Sequence, residues 1–165
     1  MSRTDENLKE AFAGESQANR RYLAFAEAAD KEGFPQVARF FRASAEGETV
    51  HALAHLRALK AVKSTKENLS EAIGGETHEF KSMYPAMIEA AKAEDNGNAL
   101  RSFQFANEVE QIHAKLYQGL LDSLGKSTQT YSYYVCPVCG YVHEKEAPEN
   151  CPVCGTKGKF FKKID

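Results

Sequence analysis

The sequence predicts an all-α four-helix bundle followed by a small cysteine-ligated metal knuckle. Three observations carry that expectation. Apolar residues recur at helical spacing through residues 1–125, the second half of that stretch repeats the first, and all four cysteines fall in the last thirty residues as C-x2-C-x11-C-x2-C. A short polar linker, residues 126–130, separates the helical part from the cysteine unit, residues 131–165.

Helix one is expected from about Thr4 to Lys31. Its inward stripe is Leu8, Ala11, Phe12, Glu15, Ala18, Tyr22, Phe25 and Ala29, at helical spacing. Gly33 and Pro35 separate it from helix two, which runs from about Gln36 to Val62. One broad face of helix two carries Val37, Phe40, Phe41, Glu48, His51, His55, Leu56 and Leu59. The pattern Asn68-Leu-Ser-Glu71 reads as a capping box that starts helix three. Helix three carries Leu69, Ala72, Ile73, Glu76, Glu79, Phe80, Met83 and Met87, and Pro85 should kink or split it. Asp95-Asn96-Gly97-Asn98 is a turn, and helix four then runs to Leu124 with Gly125 as its stop. Its inward residues are Leu100, Phe103, Glu110, His113, Tyr117 and Leu121. The tail changes composition: Tyr131, Tyr133, Tyr134, Tyr141, Phe160 and Phe161 surround the cysteines, with Pro and Gly between. A unit this small needs its metal to fold.

Composition narrows the function classes. Hydrophobic residues make up 42% and charged residues 27%, ordinary for a globular chain. A net charge of −2 argues against a nucleic-acid partner, and the basic cluster Lys157 to Lys163 reads as a solvated surface. No apolar run is long enough for a membrane span, and the first residues lack the apolar stretch of a signal peptide. A cytoplasmic location is therefore expected, where reduced thiols favour metal ligation over disulfides.

The internal repeat singles out the chemistry. Gly14-Glu15-Ser16 recurs as Gly75-Glu76-Thr77, and Arg39 to Ala52 recurs as Arg101 to Ala114. Within the second pair Arg39/Arg101, Phe41/Phe103, Glu46/Glu108, Glu48/Glu110, His51/His113 and Ala52/Ala114 are identical. Six matches exceed the roughly one that average residue usage yields. Glu48, His51, Glu110 and His113 are the repeated polar residues on inward stripes. Glu-x-x-His places two ligands one helical turn apart on one face. Glu15, Glu76 and Glu79 bring the carboxylates to five, a number that a bundle tolerates only if cations neutralise them. A Glu from each of two helices plus Glu-x-x-His from the other two is the di-iron or di-manganese pattern of ferritin-like bundles. Oxygen ligands with one imidazole per metal suit iron or manganese better than structural zinc. His55 and His78 fall outside the repeated ligand positions. Glu46 and Glu108 point about 200° away from the ligands and are expected to pair with Arg39 or Arg101.

Taken together these motifs resemble the rubrerythrins, which join a ferritin-like di-iron bundle to a rubredoxin-like domain. The carriers are Gly14-Glu15-Ser16, Glu48-Thr-Val-His51, Glu76-Thr-His-Glu79, Met83-Tyr84-Pro85, Glu110-Gln-Ile-His113 and Cys-Pro-Val-Cys-Gly, which occurs twice. The resemblance implies that Glu48 and Glu110 bridge two non-haem irons, that Glu15 binds one, and that Glu76 and His113 bind the other. It implies that Glu79 and His51 alternate as ligands of the Glu15 iron, and that Tyr22 and Tyr84 stand close behind the ligands.

Cys136, Cys139, Cys151 and Cys154 form a tetrathiolate pattern that fits either zinc or iron. A redox-active neighbour favours iron. The Cys-Gly pairs are expected to place backbone N–H groups near sulfur. The resemblance implies a peroxidase that reduces hydrogen peroxide to water, with electrons from NAD(P)H through rubredoxin or a similar donor. It also implies a head-to-tail homodimer in which the tail of one subunit serves the bundle of the other. The competing readings are a ferroxidase that does not need the tail, a non-catalytic zinc-ribbon adaptor, and a di-iron oxygenase, which would need a hydrophobic substrate cavity.

Overall fold

Ser2 opens the first helix. In the computed structural model, which describes residues 2–165, its hydroxyl accepts the Asp5 N–H at 3.1 Å and Asp5 accepts the Ser2 N–H at 3.0 Å. This reciprocal cap starts α1, Arg3–Lys31. Gly33, with φ of +81°, turns the chain into α2, Pro35–Ala58, whose proline sits in the first turn, where no N–H is needed. Helix two stops four residues before the expected Val62. Lys60 takes a φ of +52° and the Ala61 N–H returns to the Leu56 carbonyl at 3.1 Å, a closure that ends a helix regardless of the apolar residues beyond it.

The seam between α1 and α2 is lined by small residues. Ala26, Ala29, Ala38, Ala45 and Ala52 are buried, and Phe41 packs against the first three. Alanine at these positions lets two helices approach closely, so the larger residues flank the seam. Phe25, Val37 and Phe40, expected on the inward stripe, are 47%, 49% and 70% exposed. Asn19 is the buried polar residue of the seam; its side-chain N–H groups donate to the Ala45 carbonyl at 2.7 Å and to the Thr49 hydroxyl at 2.8 Å.

The chain divides into two compact units after Lys63, and the cysteine tail belongs to the second unit. There α3 spans Thr65–His78. Its cap is Ser64 with Glu67, not the expected Asn68 with Glu71, which lies inside the helix. The Ser64 pair sits at the end of an extended segment, where a cap can form; the Asn68 pair is already within a helical turn. Pro85 splits helix three as expected. Glu79–Met83 widens into a π-helical turn closed by the Tyr84 N–H on the Glu79 carbonyl, and α4, Tyr84–Ala93, follows with Pro85 in its first turn. The wider turn accommodates the ring and the missing donor of Pro85. Asn96 caps α5, Gly97–Ser123, and α3 and α4 both pack on it. Gly125, at φ +76°, ends the helical part.

The tail is a three-stranded antiparallel sheet of β1, Tyr133–Val135, β2, Val142–Glu144, and β3, Lys162–Ile164, in the order β2-β1-β3. It is held by little apolar core: among the described residues of the tail only Cys136, Cys151 and Gly158 are buried. A Cβ at Gly158 would collide with the Pro148 carbonyl oxygen, so the backbone approaches too closely there for any side chain. No helix among the described residues is long and apolar enough to cross a membrane.

Candidate metal centres

Each helical unit assembles its own cluster of donors. On α1 and α2, Glu15, Glu48 and His51 bring one ligand atom each within 4.8 Å of one another. On α3 and α5, Glu76, Glu110 and His113 do the same. The i,i+3 spacing places His51 Nδ1 3.0 Å from Glu48 and His113 Nδ1 2.7 Å from Glu110, and the carboxylate of the other helix lies 3.6 Å (Glu15) or 3.8 Å (Glu76) from the same nitrogen. The repeat in the sequence is therefore a repeat in geometry. Both imidazoles turn Nδ1 toward the carboxylates.

The carboxylates are crowded. A hydrogen bond between Glu15 and Glu48 raises Glu15 from its ordinary value and, with the contact to His51, lowers Glu48. Burial, then the neighbouring charge of Glu110, raises Glu76. Paired acids of this kind are compensated by a cation, and oxygen with one imidazole per cluster suits iron or manganese. The donor sets thus fit the metal that their spacing predicts.

Glu79 belongs to neither cluster; it lies in the π-helical turn. Its neighbour is Tyr84. Burial raises the Tyr84 phenol, and the charges of Glu79, Glu110 and Glu76 raise it further, which places that hydroxyl in the field of all three carboxylates. Tyr22 and Tyr84 lie sixty-two residues apart, the offset of the repeat, and each ring leans on the equivalent phenylalanine: Tyr22 on Phe41 at 6.1 Å and Tyr84 on Phe103 at 6.3 Å. His55 is close enough to Glu15 to lower it, although its own place is outside the cluster, and His78 is exposed. Glu46 and Glu108 point outward as expected, but neither pairs with Arg39 or Arg101 among the described residues; Arg101 lies over the Phe105 ring instead, at 5.2 Å. Seven residues along a helix is a separation of roughly 10 Å, beyond ion-pair reach.

In the tail the four sulfurs converge. Cys136 and Cys154 are 3.5 Å apart, as are Cys139 and Cys151, and all four sulfurs fall within 4.8 Å of one another. All four are free cysteines. A disulfide needs about 2.05 Å, whereas a tetrahedral ion with bonds of about 2.3 Å holds its sulfurs about 3.8 Å apart. The spacing fits a metal. Gly140 and Gly155 do not themselves donate to sulfur: their N–H groups return to the Cys136 and Cys151 carbonyls at 3.0 and 2.9 Å. Their positive φ, +84° and +77°, turns the next N–H inward, so that Tyr141 donates to Cys139 and Thr156 to Cys154. The Thr156 hydroxyl adds a second contact to Cys154, at 3.1 Å, a contact that the sequence alone did not single out. Burial pushes Cys154 up, but the side-chain and backbone hydrogen bonds from Thr156 and the bonds to Cys136 and Cys139 outweigh it and bring it down to about 6. Burial raises Cys139 and Cys151.

Family comparison agrees with both centres. The rubrerythrin family model matches residues 6–121, and the model of the rubrerythrin rubredoxin-like domain matches residues 134–162. The chain belongs to the rubrerythrin family. Rubrerythrin-2 of Clostridium acetobutylicum is 39% identical, with 96% of this chain and 95% of the relative aligned. Nigerythrin of Nitratidesulfovibrio vulgaris is 36% identical, over 92% of this chain and 81% of the relative. A solved structure of mixed-valent nigerythrin matches with a TM-score of 0.60 and 34% identity, covering 99% of this chain and 88% of that one. The rubrerythrin membership places the chain in the ferritin-like four-helix class with a rubredoxin-like tail, and it identifies the carboxylate and histidine clusters as a di-iron centre.

The tail and α5 meet at this centre. His113 Nε2 lies 3.3 Å from the Gly140 carbonyl oxygen, a long hydrogen bond between the two ligand sets. Sequence reasoning missed it, because nothing in either motif points toward the other.

Proposed function

We propose that this protein is a peroxidase that reduces hydrogen peroxide to two waters with electrons delivered through the cysteine site. The observation that carries the reading is the pairing, in one unit, of a carboxylate–histidine cluster and a four-sulfur site joined by the His113–Gly140 contact. Glu48 and Glu110 are the bridging ligands in this reading. Glu15 would hold one iron, Glu76 and His113 the other, and Glu79 and His51 would serve as further ligands beside Glu15. Iron occupies the four-cysteine site in preference to zinc. Iron held there would supply the two electrons that peroxide reduction consumes.

The protein's own groups account for the rest. The carboxylates set the charge of the site, and Glu15 and Glu48 shift each other in opposite directions. Tyr84, kept protonated by burial and by three carboxylates, can donate to an oxygen at the Glu76–Glu110 side; Tyr22 holds the equivalent place at the other cluster. His113 is fixed with Nδ1 toward the carboxylates because its Nε2–H donates to Gly140, and an imidazole held in one tautomer is a better ligand. The external donor is a rubredoxin or similar one-electron carrier drawing on NAD(P)H, the assembly is a homodimer, and the compartment is the cytoplasm. Residues 1–125 form the di-iron part, 126–130 the linker and 131–165 the electron-entry part.

The test is anaerobic purification, iron analysis and mixing of the reduced protein with hydrogen peroxide. Peroxide should re-oxidise the cysteine iron, read in its visible thiolate-to-iron band, and Glu110→Ala should abolish that response. Peroxide-independent ferrous oxidation that survives deletion of residues 131–165 would establish a ferroxidase instead.

A further inference from the structure

We infer that a groove on the α1–α2 seam is the port by which hydrogen peroxide reaches the Glu15–Glu48–His51 cluster, and that Asn19 is the residue that receives it there. The inference rests on the peroxidase reading above, and it adds a route and a basis for selecting a small hydroperoxide. Three observations support it. First, the groove leads to the cluster. It has a volume of about 200 Å³, and Ser16 and Asn19 of α1 line it together with Thr49 and Ala52 of α2. Glu48 belongs both to its lining and to the donor cluster. Arg20 and Leu53, both exposed, form its solvent side, and the buried Asn19 and Ala52 form its floor. A water molecule takes about 30 Å³ of liquid, so the groove has room for hydrogen peroxide and a few waters.

Second, the floor holds an acceptor that the protein does not satisfy. Asn19 is 8% exposed, yet its Oδ1 has no hydrogen-bond partner among the described residues. The amide cannot turn over to relieve this. Both of its N–H groups are committed, one to the Ala45 carbonyl and one to the Thr49 hydroxyl, and a carbonyl can only accept. A buried acceptor held in this way calls for a small donor molecule.

Third, the hydroxyls beside it also have only acceptors to spare. The Ser16 hydroxyl donates to the Phe12 carbonyl at 2.7 Å, and the Thr49 hydroxyl donates to the Ala45 carbonyl at 3.2 Å. Their protons are spent on the main chain, which leaves lone pairs. Glu48 adds carboxylate oxygens. The molecule that suits this lining is small and carries two O–H donors, one for Asn19 and one for the next acceptor. Water and hydrogen peroxide share that chemistry. An alkyl hydroperoxide brings one O–H and an apolar body, so it meets the lining with half the donors and more bulk. The port itself makes and breaks no bond.

Two readouts test the port, one of them without turnover. In crystals of the iron-loaded, oxidised protein, an ordered solvent molecule should lie within hydrogen-bond distance of Asn19 Oδ1 and of a second groove acceptor. An Oδ1 that meets no solvent overturns the inference. The second readout is kinetic. Leu53 is 46% exposed, so Leu53→Trp fills the solvent side of the groove and leaves Asn19 and the cluster in place. At wild-type iron content and helicity, its kcat/KM for hydrogen peroxide should fall at least tenfold, while kcat at saturating peroxide stays within twofold. Asn19→Leu, which keeps the volume and removes the acceptor, should lose the ordered solvent and show the same split. Leu53→Ala, which widens the entrance, should raise kcat/KM for tert-butyl hydroperoxide at least threefold relative to hydrogen peroxide. An unchanged kcat/KM for hydrogen peroxide in Leu53→Trp means that the groove holds water only and that substrate arrives elsewhere, which overturns the inference. If Leu53→Trp does not fold or loads less iron, Arg20→Trp on the opposite lip takes its place. Failure of the wild type to reduce hydrogen peroxide refutes the peroxidase reading itself, a distinct result.

Discussion

Replacing Glu110 by glutamine removes one charge from a cluster built to hold a cation, and its effect on stability should change sign with iron. Glu76 and Glu110 present ligand oxygens within 4.8 Å of each other, and their side chains are only 19% and 16% exposed. Two carboxylates at that distance repel by about 0.9 kcal/mol in water and about 3.5 kcal/mol at an effective dielectric of about 20. Residual solvent and His113 screen part of this, so a relief of about 1 kcal/mol in the metal-free protein is the expected scale. For a chain of this size that is a rise in Tm of about 2–4 °C. Glutamine can meet His113 Nδ1 with its amide N–H or its oxygen, whichever the ring requires, so little is lost. Iron reverses the order. At a free-iron concentration 100-fold above its Kd the wild type gains about 2.7 kcal/mol, or about 5–11 °C, and the variant loses most of that gain. The assay is anaerobic thermal unfolding followed by helical circular dichroism at a fixed scan rate, with chelator and with ferrous iron. If Glu110→Gln is less stable than wild type in chelator, or gains as much from iron, the carboxylates are not held together against their repulsion, and the argument for a metal at this cluster fails.

Three further outcomes follow from other parts of the molecule. Gly158→Ala puts a methyl group into the Pro148 carbonyl, where backbone cannot yield; the tail should lose its iron to chelator far faster than wild type, read in the charge-transfer band. Thr156→Val removes the hydroxyl that lies 3.1 Å from Cys154 sulfur. A donor to sulfur favours the more negative, reduced site, so electrochemical titration should show the potential falling, by about 59 mV if the one-electron equilibrium moves tenfold. Asn19→Ala deletes the bonds to Ala45 and Thr49 across the α1–α2 seam; because Thr49 still donates to the Ala45 carbonyl at 3.2 Å, the loss should be about 1–2 kcal/mol, seen as a drop in Tm of roughly 2–8 °C.

How much of this was legible from residues alone depends on how local each feature is. Glu48 with His51, and Glu110 with His113, were readable because one helical turn fixes their relation whatever the rest of the chain does. The helix-three break was readable from Pro85. The end of helix two was not, because Leu59, Ala61 and Val62 continue an apolar pattern, and only the left-handed Lys60 interrupts it. The inward assignment of Phe25, Val37 and Phe40 failed for a related reason: periodicity marks an apolar face, but the alanine seam decides which edge of that face is buried between α1 and α2.

The order of residues by itself determined the donors: which acids, imidazoles and thiols exist, how they are spaced within a helix or a Cys-x-x-Cys-Gly knuckle, and that each helical half carries the same set. Those are short-range relations, set by backbone geometry over a few residues. Tertiary structure decided what those donors meet. It put Tyr84 in the field of three carboxylates, turned the Tyr141 and Thr156 N–H groups onto sulfur, and brought Gly140 to His113 across a separation of 27 residues. Such meetings depend on which apolar surfaces the tail and α5 bury together, and that is a property of the packed unit, absent from any single motif.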